Sequence, residues 1–195
     1  MKLHAEVSVP DVESIKTQAL IIIKHALETL GHDFNDPETS KKLLFVRLPD
    51  NIKIFLEIPE LKSFLDNNGW TNYITGIMFN TAPPNTTGLI HIDPPWTNKS
   101  FNIPIIGYES SFVNFYRIKN NVSKHTEIEP NVTSGSITFS AFNPDDVEFI
   151  EQYQTLGPHI VKIDGPHQIV NSSSSIRINL LIRLSHELDL SQHYV

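Results

Sequence analysis

The period of the hydrophobic positions changes near Trp70. Between Asp11 and Leu30, the residues Val12, Ile15, Ala19, Ile22, Ile23, Ala26, Leu27 and Leu30 recur at three- and four-residue spacing, which marks one face of an α-helix. Asp11 stands where an N-cap is expected and Gly31 where a C-cap is. A second, shorter helix is expected from Asp36-Pro37-Glu38 through about Phe45, and a third over 59–68, ended by Gly69. Residues 52–58 fit either a short strand or a helical turn. Beyond Trp70, short β-rich runs broken by Pro, Asn, Ser and Gly predict strands at 72–80, 87–93, 100–106, 111–118, 136–141, 146–153, 158–164, 166–171 and 175–184. Helices followed by many short strands predict a mainly β (α+β) fold, a sandwich or barrel with helices covering one side. The expected organisation is one domain over 1–195: a helical region at 1–70, a β core at 71–184 and a tail at 185–195.

The last predicted strand carries the clearest alternation. Ile176, Ile178, Leu180, Ile182 and Leu184 interleave with Arg177, Asn179, Leu181 and Arg183. Its polar face would either meet water or line a barrel interior. The first helix has an apolar stripe that must be buried, and the isoleucine face is the surface available to it. That favours the barrel interior over water for the face with Arg177, Asn179 and Arg183. Over 100–106 the same split puts Phe101, Ile103 and Ile105 on one face, with Asn102 and Pro104 on the other.

Composition narrows the chemistry. The 195 residues are 39% hydrophobic and 19% charged, ordinary for a globular chain able to bury a large core. A net charge of -7 without any basic run argues against binding duplex nucleic acid. With no cysteine, disulfides, iron–sulfur clusters and thiol nucleophiles are excluded. No apolar run is long enough for a membrane span, and the first residues lack the apolar core of a signal peptide, so a cytoplasmic protein is expected. Asn-x-Ser/Thr sequons at Asn85, Asn98, Asn121, Asn131 and Asn171 then reflect composition alone.

The candidate chemistry centres on His91-Ile92-Asp93. On an extended strand residues i and i+2 share a face, so the imidazole and carboxylate could converge on one ion while Ile90 and Ile92 pack behind. A metal site needs a third ligand. Of the other histidines, His4, His186 and His193 are near the termini, His25 and His32 are on or beside the first helix, and His125 is in a polar loop. His159 and His167, each preceded by Gly-Pro, lie in the β region. His167 comes ten residues before Arg177, across an expected hairpin turn at 171–175, so an imidazole and a guanidinium could face one pocket. Arginine is suited to a bidentate grip on a carboxylate.

His91-x-Asp93, then His167, then Arg177, resembles the signature of the Fe(II)/2-oxoglutarate-dependent dioxygenases, whose His-x-Asp…His set is a two-histidine, one-carboxylate triad. The stretches Phe101-Asn102-Ile103-Pro104-Ile105 and Phe112-Val113-Asn114-Phe115-Tyr116 are similar to small stand-alone bacterial and phage members near the aspartyl/prolyl hydroxylase branch, and the resemblance covers roughly 72–184. It implies a double-stranded β-helix, a cupin-like jelly roll, with N-terminal helices on its major sheet. It further implies Fe(II) bound by His91, Asp93 and His167, and 2-oxoglutarate chelating that ion. Arg177 would hold the distal carboxylate, with Asn102 or Tyr116 as hydrogen-bonding partner. Dioxygen is then consumed, succinate and CO2 are released, and an amino acid, peptide or protein side chain, or small metabolite is hydroxylated. Trp96 and Tyr73 could line the mouth of the site. The family commonly has Arg-x-Ser on the last strand, where this chain has Arg177-Ile178-Asn179. Two alternatives stand beside this reading: a cupin-like metalloenzyme that does not use 2-oxoglutarate, and a non-enzymatic jelly-roll binding module.

Overall fold

A computed structural model describes residues 2–33, 36, 38, 41, 45–46, 51–93, 97–119, 126–128 and 138–191. Helix α1 (Val12–Thr29) forms where the apolar stripe predicts it and buries Ile15, Ala19, Ile23, Ala26 and Leu27. Asp11 occupies its N-cap with a left-handed backbone (φ 53°), and its side chain makes no capping bond, contrary to the expected role. At the other end Gly31 adopts φ 77°. The amide of His32 donates to Leu27 O and that of Gly31 to Glu28 O, a Schellman closure that needs the freedom of glycine. Residues 52–58 resolve towards helix, in α2 (Asn51–Leu56). Helix α3 (Pro59–Asn67) starts with its proline in the first turn. Most of the helix expected at 36–45 lies outside the described residues, but its last residue is not helical: Phe45–Val46 form strand β2.

The remaining strands are β1 (His4–Glu6), β3 (Ile74–Ala82), β4 (Thr86–Thr87), β5 (Ile90–Ile92), β6 (Thr97–Ile106), β7 (Ser111–Ile118), β8 (Thr126–Ile128), β9 (Phe139–Phe142), β10 (Val147–Gln154), β11 (His159–Lys162), β12 (His167–Asn171) and β13 (Arg177–Ser185). They form two antiparallel sheets, a major one in the order β1-β11-β6-β13-β3-β2 and a minor one in the order β10-β7-β12-β5-β9-β8, with β4 also on β12. From β3 to β7, and again from β10 to β13, the chain passes back and forth between the sheets, while β7 through β10 all lie in the minor one. This is the winding of a jelly roll, the double-stranded β-helix expected.

Strand β13 lies between β3 and β6 in the middle of the major sheet. Its Ile178, Leu180, Ile182 and Leu184 are buried in one cluster with Ile15, Ala19 and Ile23 of α1, Leu61 and Leu65 of α3, and Phe101 and Ile103 of β6. The helices therefore cover the outer face of the major sheet, and the polar face of β13 turns inward. Among the described residues no helix is long and apolar enough to cross a membrane.

One expectation fails in an informative way. His167 and Arg177 are not joined by a hairpin, because β12 belongs to the minor sheet and β13 to the major one. The intervening turn is a crossover between sheets, fixed by Asn171. Its buried side-chain amide donates to the carbonyls of Ala82, Pro83 and Ser175, at 3.0, 3.0 and 2.8 Å, and its Oδ1 accepts from the Ser173 amide. The Asn171 sequon is thus a structural lock.

Replacing fully buried Ile182 by Ala should cost about 2–5 kcal/mol in urea unfolding. Ile21→Ala, at a site 63% exposed on α1, should change stability by no more than about 0.5 kcal/mol. Equal losses would contradict this placement of the core.

Candidate metal centre

The first two candidate ligands meet across a strand pair. His91 on β5 and His167 on β12 are direct antiparallel partners, with ring centroids 4.5 Å apart. The expected strand at 87–93 is interrupted at Gly88, whose amide donates to Ile169 O at 2.8 Å. A Cβ there would stand 3.2 Å from that carbonyl, so the close approach favours glycine. After this break the Leu89 carbonyl lies 2.9 Å from His91 Nδ1, and Gly165 O lies 3.1 Å from His167 Nδ1. Carbonyls only accept, so both Nδ1 atoms carry the proton and both Nε2 lone pairs are available to a metal. Asp93 follows directly after β5. One ligand atom each from His91, Asp93 and His167 lies within 4.8 Å of the others, and all three residues are buried. This donor set fits a divalent transition ion.

Arg183 completes the group. Its guanidinium donates to Asp93 through Nη1 (2.8 Å) and Nη2 (3.0 Å), a bidentate pair in which the Asp93 side chain is fully buried. Burial alone would raise the Asp93 pKa. The Arg183 charge beside it outweighs this and holds the carboxyl well below the usual carboxylate range. His91 is pushed down to about 4, first by burial and then by the neighbouring His167. The centre therefore presents an ionised carboxylate beside a neutral His91 imidazole, the protonation states that ligation requires.

A narrow cavity between the sheets adjoins these ligands. Its polar wall includes Arg177, Asn179, Asn80, Asn102 and Ser100, and its apolar wall includes Val113, Val161, Ile163, Ile169 and Leu181. Arg177 is 2% exposed, and its Nη1 donates to Asn80 Oδ1 at 2.8 Å. No carboxylate lies near it among the described residues, and burial alone brings its pKa down to about 10. Its Nε is without a partner among the described residues, as are both amide atoms of Asn179.

Arg177, Asn102 and Tyr116 are the residues that the sequence resemblance assigns to co-substrate binding. Arg177 and Asn102 line this cavity. Tyr116 does not: on β7 the inward residues are Val113 and Phe115, so Tyr116 points out, where its hydroxyl donates to Gln168 Oε1 at 2.7 Å. Tyr73, expected near the mouth, packs instead against the core beneath the helices. Trp96, His125 and His193 lie outside the described residues. Arg183 was visible only as part of a polar strand face. Its pairing with Asp93 spans ninety positions of sequence, and no local pattern announces it.

No protein-family model matches the chain, and no curated protein matches its sequence. Solved structures do. A prolyl-4-hydroxylase from Pseudomonas putida is 12% identical, covering 90% of this chain and 83% of that one, with a TM-score of 0.40. AviO1 from Streptomyces viridochromogenes is also 12% identical, over 94% and 88%, at a TM-score of 0.46. The apo form of ThoJ, a non-heme monooxygenase, is 7% identical over 95% and 73%, at 0.47. The capsular polysaccharide assembling protein CapF of Staphylococcus aureus is matched at 14% identity and a TM-score of 0.28, and there the chain spans about a quarter of the other protein's length (26%). Likenesses this distant assign neither a family nor an activity.

Arg183→Met would leave Asp93 buried without its counter-charge. The metal-free protein should lose about 3–5 kcal/mol, and Mn(II) should raise its melting temperature more than it raises that of the unaltered protein, because the ion takes over the compensation. Differential scanning calorimetry with and without Mn(II) checks both. Acid should also destabilise the metal-free protein. His91 and His159, both normally near 6.5, are held down to about 4 in the fold. Between pH about 6.5 and about 4 the unfolded chain thus binds protons that the folded chain refuses, and stability falls as pH is lowered, by up to about 1.4 kcal/mol per pH unit for each histidine. Urea unfolding across that window should show this slope; a flat profile would contradict two buried neutral imidazoles.

Proposed function

We propose that this chain is an Fe(II)- and 2-oxoglutarate-dependent dioxygenase that hydroxylates an amino acid, a peptide or protein side chain, or a small metabolite. The observation that carries the reading is Arg177: a buried guanidinium with no acidic partner among the described residues, on the same cavity as a His-Asp-His group. A buried charge is costly without a counter-ion. The distal carboxylate of a bound dianion would supply one, and its other carboxylate would offset charge at the metal.

Each side chain has a part to play. His91 and His167 offer Nε2 lone pairs and Asp93 an ionised carboxylate, so these three would hold the ion. Arg183 would keep Asp93 ionised and aimed while the site is empty. Arg177 would grip the distal carboxylate of 2-oxoglutarate, with Asn179 donating from the position where the family commonly has serine. Val113, Val161 and Ile163 would keep water from the reacting groups. The bound iron would supply the redox chemistry that couples oxidative decarboxylation of 2-oxoglutarate by dioxygen to hydroxylation of a substrate C–H bond. The substrate's entry path and its other contacts would come from the rim of the barrel. The acidic chain disfavours duplex nucleic acid as substrate.

Thermal shift under anaerobic conditions tests this directly. Mn(II) should stabilise the protein, and 2-oxoglutarate should add about 2.7 kcal/mol more at a hundredfold excess over its Kd, but only with metal present. Arg177→Leu should keep the metal shift and lose the 2-oxoglutarate shift. No effect of 2-oxoglutarate would sink the proposal. A metal shift with Arg177→Leu indistinguishable from the unaltered protein would favour a metalloenzyme that does not use this co-substrate.

A further inference from the structure

The tripeptide Gly-Pro-His occurs twice, at 157–159 and at 165–167, and the metal centre uses only the second copy. Both imidazoles are held alike. His159 Nδ1 lies 2.7 Å from Gly157 O, as His167 Nδ1 lies 3.1 Å from Gly165 O. Each ring is therefore protonated at Nδ1 and keeps Nε2 as an acceptor. His167 turns that lone pair to the metal group. His159, fully buried on β11, turns it to Asn102, its direct partner on β6.

Asn102 Nδ2 donates to His159 Nε2 at 3.2 Å, and Asn102 Oδ1 accepts from Ser100 Oγ at 2.5 Å. The two ends of a carboxamide are alike in shape, so its orientation is decided by its partners. The Ser100 hydroxyl can donate or accept and would tolerate either orientation. Only His159 discriminates, because a flipped amide would set its carbonyl oxygen against a lone pair. The imidazole is itself backed by aromatic rings, with Tyr153 tilted against it at 5.1 Å and His4 stacked on Tyr153 at 3.9 Å. In the orientation so imposed, Asn102 retains a second N–H with no acceptor among the described residues, and the residue lines the cavity that also holds Arg177 and Asn179.

We infer that His159 is a positioning residue: it fixes the Asn102 amide so that the remaining N–H donates to an oxygen of 2-oxoglutarate. The inference rests on the proposed use of that co-substrate. A flipped Asn102 would present a carbonyl oxygen to a carboxylate, replacing attraction by repulsion, so the effect falls on co-substrate affinity and leaves the metal ligands untouched.

Isothermal titration of Mn(II), followed by 2-oxoglutarate, separates the two bindings. His159→Leu should weaken 2-oxoglutarate about tenfold or more while the Mn(II) affinity stays within about twofold. His159→Gln, whose Oε1 can still accept from Asn102, should recover most of the loss. Unchanged 2-oxoglutarate binding in His159→Leu overturns the inference, and so does an equal loss of Mn(II) and 2-oxoglutarate binding, which would mark a merely structural residue. Asn102→Ala should weaken 2-oxoglutarate at least as much. Unchanged affinity in that variant overturns the inference even if His159→Leu fails to fold. If the unaltered Mn(II)-loaded protein does not bind 2-oxoglutarate at all, the functional reading falls and this inference falls with it. Binding by the unaltered protein that these variants leave intact overturns this inference alone.

Discussion

Everything in this molecule depends on one strand facing two environments at once. Successive side chains of β13 point to opposite faces, so Ile178, Leu180, Ile182 and Leu184 enter the aliphatic core beneath the helices while Arg177, Asn179 and Arg183 enter the barrel. A slip of one residue in register would exchange the two sets, burying two guanidiniums in hydrocarbon. The core therefore does more than stabilise the fold. By rejecting the wrong register, it holds the polar residues at the positions where they meet the metal group and the cavity.

Two buried arginines on one strand pose an electrostatic problem that the barrel answers in two different ways. Arg183 has its counter-ion in the protein, in Asp93, and both charges are held by paired hydrogen bonds. Arg177 has, among the described residues, the neutral Asn80 oxygen instead of a carboxylate. The first arrangement keeps a buried carboxylate ionised with a partner from the protein itself. The second has no counter-ion among the described residues, and it lies beside amide groups of Asn179 that likewise have no partner among them. Buried polar groups in folded proteins are nearly always paired, with protein, water or ligand, so a cluster of unpaired ones on a cavity wall marks a place that such a partner fills.

The repeated Gly-Pro-His segment shows how one local conformation serves two purposes. In both copies the glycine carbonyl fixes the same imidazole tautomer. Because the copies sit in different sheets, one accepting nitrogen reaches the His91–Asp93 pair and the other reaches an asparagine across the sheet. Local sequence set the chemistry of each ring, and topology assigned its partner.

That division holds for the protein as a whole. Period and punctuation in the sequence were enough to place α1 with its glycine closure, the third expected helix, the principal strands and the two faces of β13, because each of these depends on residues within a few positions of one another. The His-x-Asp pair and the spacing of Arg177 from His167 were legible for the same reason. The tertiary structure alone decided what depends on distance across the barrel. It made the 171–175 segment a crossover rather than a hairpin, because β12 and β13 bury their inner faces against opposite sheets. It turned Tyr116 outward, because it falls on the even-numbered side of β7, whose odd-numbered residues Val113 and Phe115 pack inside. And it brought Arg183 to Asp93, a pairing made by the closure of two sheets over one buried carboxylate that no stretch of sequence contains.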